Sequence, residues 1–131
     1  MRRPPKPTDA ELEVLRVLWE RGPSTVRDIH AVVDRHKARG YTTILKTLQI
    51  MTDKGLVVRD EAERSHVYRP RYSEAQTQRQ LVRDLVDRAF GGSAAKLMLQ
   101  VLGSKAATPG ELAELRALID RQRLERGSGK G

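Results

Sequence analysis

The period of the apolar residues changes at Gly55, and this change constrains the fold more than any other feature of the chain. Upstream of it, apolar side chains recur at helical spacing. Thr8 opens T-D-A-E, a capping-box pattern with Glu11 three residues on. Leu12, Val14, Leu15, Leu18 and Trp19 form one stripe, so a helix is predicted to about Arg21, where Gly22-Pro23 stops it. Thr25 with Asp28 repeats the capping pattern, and Val26, Ile29, Val32 and Val33 predict a second short helix ending near His36. After a loop through Gly40, a third helix is predicted from about Thr42 to Gly55, with Lys54 just before its glycine stop. Downstream, LVVRD and HVYRP are β-prone runs separated by polar residues 61–65, the pattern of a hairpin. Three helices and a hairpin in this order are the signature of a winged helix-turn-helix.

Beyond Ser73 the helical period returns. Leu81, Val82, Leu85, Val86, Ala89 and Phe90 make a stripe that Gly91-Gly92 breaks. Ala94 to Leu102 is a short apolar helix, and T-P-G-E at 108–111 starts a last one with Leu112, Leu115, Leu118 and Ile119. The expected architecture is mainly α with a small β-hairpin wing. It comprises a disordered basic arm over 1–7, a winged helix DNA-binding domain over 8–72, a helical dimerisation region over 73–125 and a disordered tail over 126–131. The last helices total about 50 residues, too few to close a good core alone. Either two copies complete one core as a twofold dimer, or these helices fold back onto the winged part. The first reading makes Leu81, Leu85, Phe90, Leu97, Val101, Leu115, Leu118 and Ile119 the dimer contacts.

The formal charge of +8 favours an anionic partner, and its local distribution says more than the total. No acid stands between Asp34 and Asp53, whereas Arg35, Lys37, Arg39 and Lys46 all do. On a wheel of about 100° per residue, Ile44, Leu48 and Met51 fall on one side of the third helix. Thr42, Lys46, Gln49 and Asp53 gather opposite, with Thr43 and Ile50 beside them. Gln pairs with adenine, Lys with guanine acceptors or phosphate, and Thr and Ile methyls with the thymine methyl. Thr42, Thr43, Lys46, Gln49 and Ile50 are therefore the candidate base-reading residues. A solvated helix face is the alternative for such a charge run, and the neighbouring helix, loop and hairpin weigh against it. Arg35, Lys37, Arg39 and Arg64 are the candidate phosphate contacts, with Arg59, Arg69 and Arg71 also basic in the hairpin. His66 either joins Arg64 as a wing contact or is a plain surface histidine, the more ordinary reading.

Other classes are weaker. His30, His36 and His66 lack the spacing of a zinc site, and no glycine-rich phosphate loop appears, so neither enzyme, metal nor cofactor is expected. Without cysteine, thiolate chemistry is excluded. No apolar run reaches the length of a membrane span and MRRPPKP lacks a signal-peptide core, so a cytoplasmic protein without membrane contact is expected. A nonspecific DNA-coating protein and a winged-helix protein-interaction module remain as alternatives to a sequence-specific repressor.

The chain resembles the penicillinase repressors, the BlaI/MecI/CopY group of bacterial winged-helix regulators. The residues that carry the resemblance are T-D-A-E-L-E-V-L-R-V-L-W at 8–19, S-T-V-R-D-I at 24–29, Y-T-T-I-L-K-T-L at 41–48 and D-K-G-L-V at 53–57. V-Y-R-P at 67–70 and E-L-A-E-L at 111–115 extend it. The resemblance implies a dimeric repressor whose winged domain binds a palindromic operator and whose last three helices form the dimer. It places recognition on Thr42, Thr43 and Lys46, with Ile50 standing where many relatives carry Arg. It also implies induction by a membrane sensor that triggers cleavage between Asn and Phe in the fifth helix. The matching pair is Gln100-Val101, which departs from that pattern. Copper-responsive members use C-terminal cysteines, and this chain has none.

Overall fold

The computed structural model describes residues 4–37, 40–62, 64–104 and 107–128. In chain order its elements are α1 (Asp9–Arg21), α2 (Val26–Lys37), α3 (Tyr41–Lys54), β1 (Val57–Asp60), β2 (Val67–Pro70), α4 (Glu74–Ala89), α5 (Ala94–Gly103) and α6 (Pro109–Ser128). The chain forms two compact units, residues 1–83 and 84–131.

The first unit follows from the apolar stripes. The α1 capping box forms in full: the Glu11 amide donates to Thr8 Oγ1 at 3.2 Å, and the Thr8 amide donates to Glu11 Oε1 at 2.9 Å. Val14, Leu15, Val17 and Leu18 of α1 then meet Val26, Ile29 and Val33 of α2 and Ile44, Leu48 and Met51 of α3 in one core. Full burial of a leucine such as Leu48 contributes about 1.5–3 kcal/mol. Gly55 ends α3 in the left-handed region, φ 81°, which a residue with a Cβ adopts only at a cost. Its amide and that of Leu56 close back on α3, and the chain turns into β1.

The hairpin is antiparallel, with Val57 opposite Pro70 and Asp60 opposite Val67. Leu56, Val57 and Tyr68 face the core. On its other side β2 meets the turn before α2, where the Ser24 and Tyr68 amides donate to each other's carbonyls at 3.0 and 2.8 Å. Mainly helical structure with one two-stranded wing is the architecture the period change predicts.

Three limits of the predicted segments shift. In the arm expected to be disordered, Pro7 is buried and the Pro4 carbonyl accepts from the Gln80 side chain. Residues 1–3 lie outside the described residues. The first unit also runs past the expected boundary at 72/73. Trp19 Nε1 donates to the Tyr72 carbonyl at 3.1 Å and Thr77 is buried, so the start of α4 belongs to it. Finally, α6 continues through residues 126–128, which the sequence assigns to a disordered tail, because nothing after Ile119 breaks a helix before Gly127. Residues 129–131 lie outside the described residues.

Candidate nucleic-acid interface

The third helix presents two chemically different faces. Ile44, Leu48 and Met51 are 2%, 0% and 0% exposed. Thr42, Thr43, Lys46, Gln49 and Ile50, the five candidate base readers, are all exposed, Ile50 at 42%. Thr47 is half-buried, and its hydroxyl donates to the Thr43 carbonyl at 2.9 Å, so it is occupied locally. The geometry thus brings the candidates together on one helix face.

The start of α3 differs from every other helix start. Thr8, Thr25, Ser73, Ser93 and Thr108 each offer a hydroxyl to a first-turn amide of α1, α2, α4, α5 and α6. Gly40 stands at the α3 cap and has no side chain to offer, and no acid lies in the first turn. Among the described residues, α3 alone begins without a side-chain cap. Its N-terminal amides and the positive end of its dipole suit an anion such as a phosphate.

Beside that helix start lies a cleft of about 410 Å³ between the beginning of α2, the beginning of α3 and the wing. Arg27, Tyr41, Arg64 and His66 line it with Thr25 and Ser65, and among the described residues no acid lines it. Asp28 in the first turn of α2 is tied up elsewhere: the Thr25 amide donates to its carboxylate at 3.2 Å. That bond and the Thr25 hydroxyl, helped by Arg21 and Arg27, hold the Asp28 carboxyl below its ordinary range. The Tyr41 ring meets His30 edge-on at 5.9 Å, which braces the first residue of α3 against α2. Arg64 is exposed and lines the cleft.

Arg27 and Tyr41 are not among the sites the sequence suggests, and for His66 a place beside Arg64 is only the second reading. No spacing rule reveals them, because the cleft joins residues from three elements. Arg59 is less available than the sequence implies, since Glu61 holds its guanidinium in an ion pair. Arg69 and Arg71 are exposed, with the Arg71 guanidinium 6.0 Å from the Tyr72 ring centre. Arg35 and Lys37 fall within the α2 backbone, but their side chains, and Arg39 entirely, lie outside the described residues.

The dimer candidates lie on α4, α5 and α6. Leu81, Phe90, Leu97, Val101 and Leu115 are half-buried, and Leu85, Leu118 and Ile119 are exposed. Gln100 is exposed and Val101 half-buried on α5. Among the described residues, no group of three or more His, Asp or Glu could hold a metal ion, and no helix is long and apolar enough to cross a membrane.

Comparison with known proteins gives the family and the fold. The model of the family described as penicillinase repressor matches residues 7–121. A Mycobacterium tuberculosis protein described as transcriptional regulator BlaI is 36% identical over 63 residues, 47% of this chain and 46% of its own. The chain spans about half the length of the curated relatives it matches. The solution structure of the DNA-binding domain of the repressor BlaI matches with a TM-score of 0.51 and 26% identity, over 58% of this chain and 93% of that one. Monomeric BlaI of Bacillus licheniformis, solved in complex with the blaP half-operator, matches with the same values.

Proposed function

The chain belongs to the penicillinase repressor family, and from that premise we propose that it represses transcription by binding a palindromic DNA operator as a homodimer. In this reading α3 enters the major groove, where Thr42, Thr43, Lys46, Gln49 and Ile50 meet base edges. The cleft lined by Arg27, Tyr41, Arg64 and His66 receives the adjoining sugar-phosphate backbone. The observation that carries the proposal is the uncapped, acid-free start of α3 beside an exposed face of hydroxyls, an amide and a cation. The complex of B. licheniformis BlaI with a half-operator supports assigning one winged unit to one half-site. Homodimerisation is supported by the uncovered apolar residues of α4 to α6. Two copies related by a twofold would address half-sites about one DNA turn, roughly 34 Å, apart.

The test is selection of duplexes from a random library by the full chain, followed by titration. A palindrome preferred over a scrambled duplex by about 10³-fold or more is the expected result. Lys46→Ala should then weaken the selected duplex by about 1–3 kcal/mol and relax the preference at one base position. Arg64→Ala should weaken all duplexes alike and lower the salt slope by about 0.9. Equal affinity for every duplex would mean a coating protein, and no binding would mean a protein-interaction module.

A further inference from the structure

Two stretches far apart in sequence, T-D-A-E at 8–11 and D-K-G-L-V at 53–57, meet in space. Glu11 lies in the first turn of α1 with its side chain only 4% exposed. Lys54 is the last residue of α3, its side chain 36% exposed. Its ammonium donates to both carboxylate oxygens, at 3.0 Å to Oε1 and 2.9 Å to Oε2. Each charge also stands at the helix end whose dipole favours it. Burial pushes the Glu11 carboxyl up, but the Thr8 amide and then the Lys54 ammonium outweigh it and hold the group below the ordinary carboxylate range.

We propose that Glu11 and Lys54 are positioning residues for DNA recognition, an ion pair that sets the orientation at which the exposed face of α3 meets base edges. This inference rests on the repressor reading above. The other anchors of α3 are largely apolar, and the packing of Ile44, Leu48 and Met51 is non-directional. A two-point charge-assisted bond is directional. The helix has 14 residues, which at 1.5 Å per residue makes it about 21 Å long. A tilt of about 10° pivoting at one end moves the other by roughly 3.5 Å, whereas a binding constellation needs placement within about 0.5 Å. Lys54 is not a free cation for DNA. Turning it to a phosphate would strip a buried carboxylate of its counter-charge.

The test compares the duplex selected by the wild-type chain with a scrambled duplex of equal length, at a temperature where circular dichroism shows each variant folded. Lys54→Met keeps the stem and removes the charge. It should lower affinity for the selected duplex about tenfold, the effect of a lost base contact, and leave the scrambled duplex and the salt slope unchanged. Lys54→Arg should restore most of the discrimination. Equal losses on both duplexes with a flatter salt slope would make Lys54 a phosphate contact and overturn the proposal. Unchanged discrimination in folded Lys54→Met would reduce the pair to a stabilising contact. Should Lys54→Met fail to fold, Glu11→Gln, which can keep its bond from the Thr8 amide, carries the same comparison with the same two outcomes. If the wild-type chain selects no duplex, the repressor reading falls and takes this inference with it. A selected duplex without the discrimination loss sinks the inference alone.

Discussion

Among the described residues, every buried side chain lies in the first unit, whereas α5 and α6 bury none and leave Leu99 66% and Ile119 53% exposed. The two units have similar raw material, helices with leucine and valine at regular spacing. What differs is closure. Three helices and a hairpin enclose the space between them, and Tyr68 packs into it. The second unit is too short to enclose anything, so its apolar surface stays open until another surface covers it. Its α5–α6 groove, about 550 Å³, is lined by Met98, Leu102, Leu112, Leu115, Leu118 and Ile119, the kind of surface a second copy would cover. The first unit carries its own stability, and the second is expected to borrow it from assembly.

The strongest way to break this contrast is to cut equal amounts from each unit. Leu48→Ala should cost about 2–5 kcal/mol in thermal or urea unfolding, because it leaves a cavity among packed side chains. Leu99→Ala, removing the same atoms from an exposed position, should shift the curve by less than about 0.5 kcal/mol when both variants are compared at a dilution that keeps the chain monomeric. Comparable losses would show that the second unit is closed by itself. Next in size, Leu85→Asp places a charge on the surface proposed to pair and should convert dimer to monomer in sedimentation experiments. An undisturbed dimer would move the interface elsewhere.

Acid titration sharpens the contrast further. The Glu11 carboxyl is depressed on folding, so the stability it adds is present above its unfolded value, near 4.5, and is lost as the pH falls through the folded value. Glu11→Gln should therefore flatten the acid limb of the first unit's unfolding curve, and an unaltered limb would discount the pair. The smallest effect compares two identical caps. Thr8→Ala and Thr108→Ala each remove a capping-box hydroxyl. The first should cost about 1 kcal/mol of global stability. The second should mainly fray α6, seen as a small loss of helical circular dichroism.

Much of the first unit was legible because a single physical rule governs it. The wheel that sends Ile44, Leu48 and Met51 inward also sends Lys46 and Gln49 outward, and one core-facing stripe decides both. The cap and stop residues did the same for the helix limits, as Thr8 and Gly55 show. What escaped depends on meetings between distant residues. Nothing local says that Glu11 finds Lys54, or that Arg27 and His66 share a cleft with Tyr41. The expected boundary at 72/73 ignored Thr77, whose burial comes from tertiary packing and not from its own polarity. In the second unit the apolar stripes could be read but not what covers them, since the sequence shows a sticky face without its partner.

The reciprocal bonds between Ser24 and Tyr68 give the wing a fulcrum. A free two-stranded ribbon would swing from its base and absorb any pull at its tip, being marginal in water by itself. Here a load on Arg64 travels down β2 to Tyr68, passes to the turn that launches α2, and reaches the same frame that holds α3. The ribbon then behaves as a lever joined to the helices, so that in the proposed complex seating its tip and seating α3 would become one mechanical event.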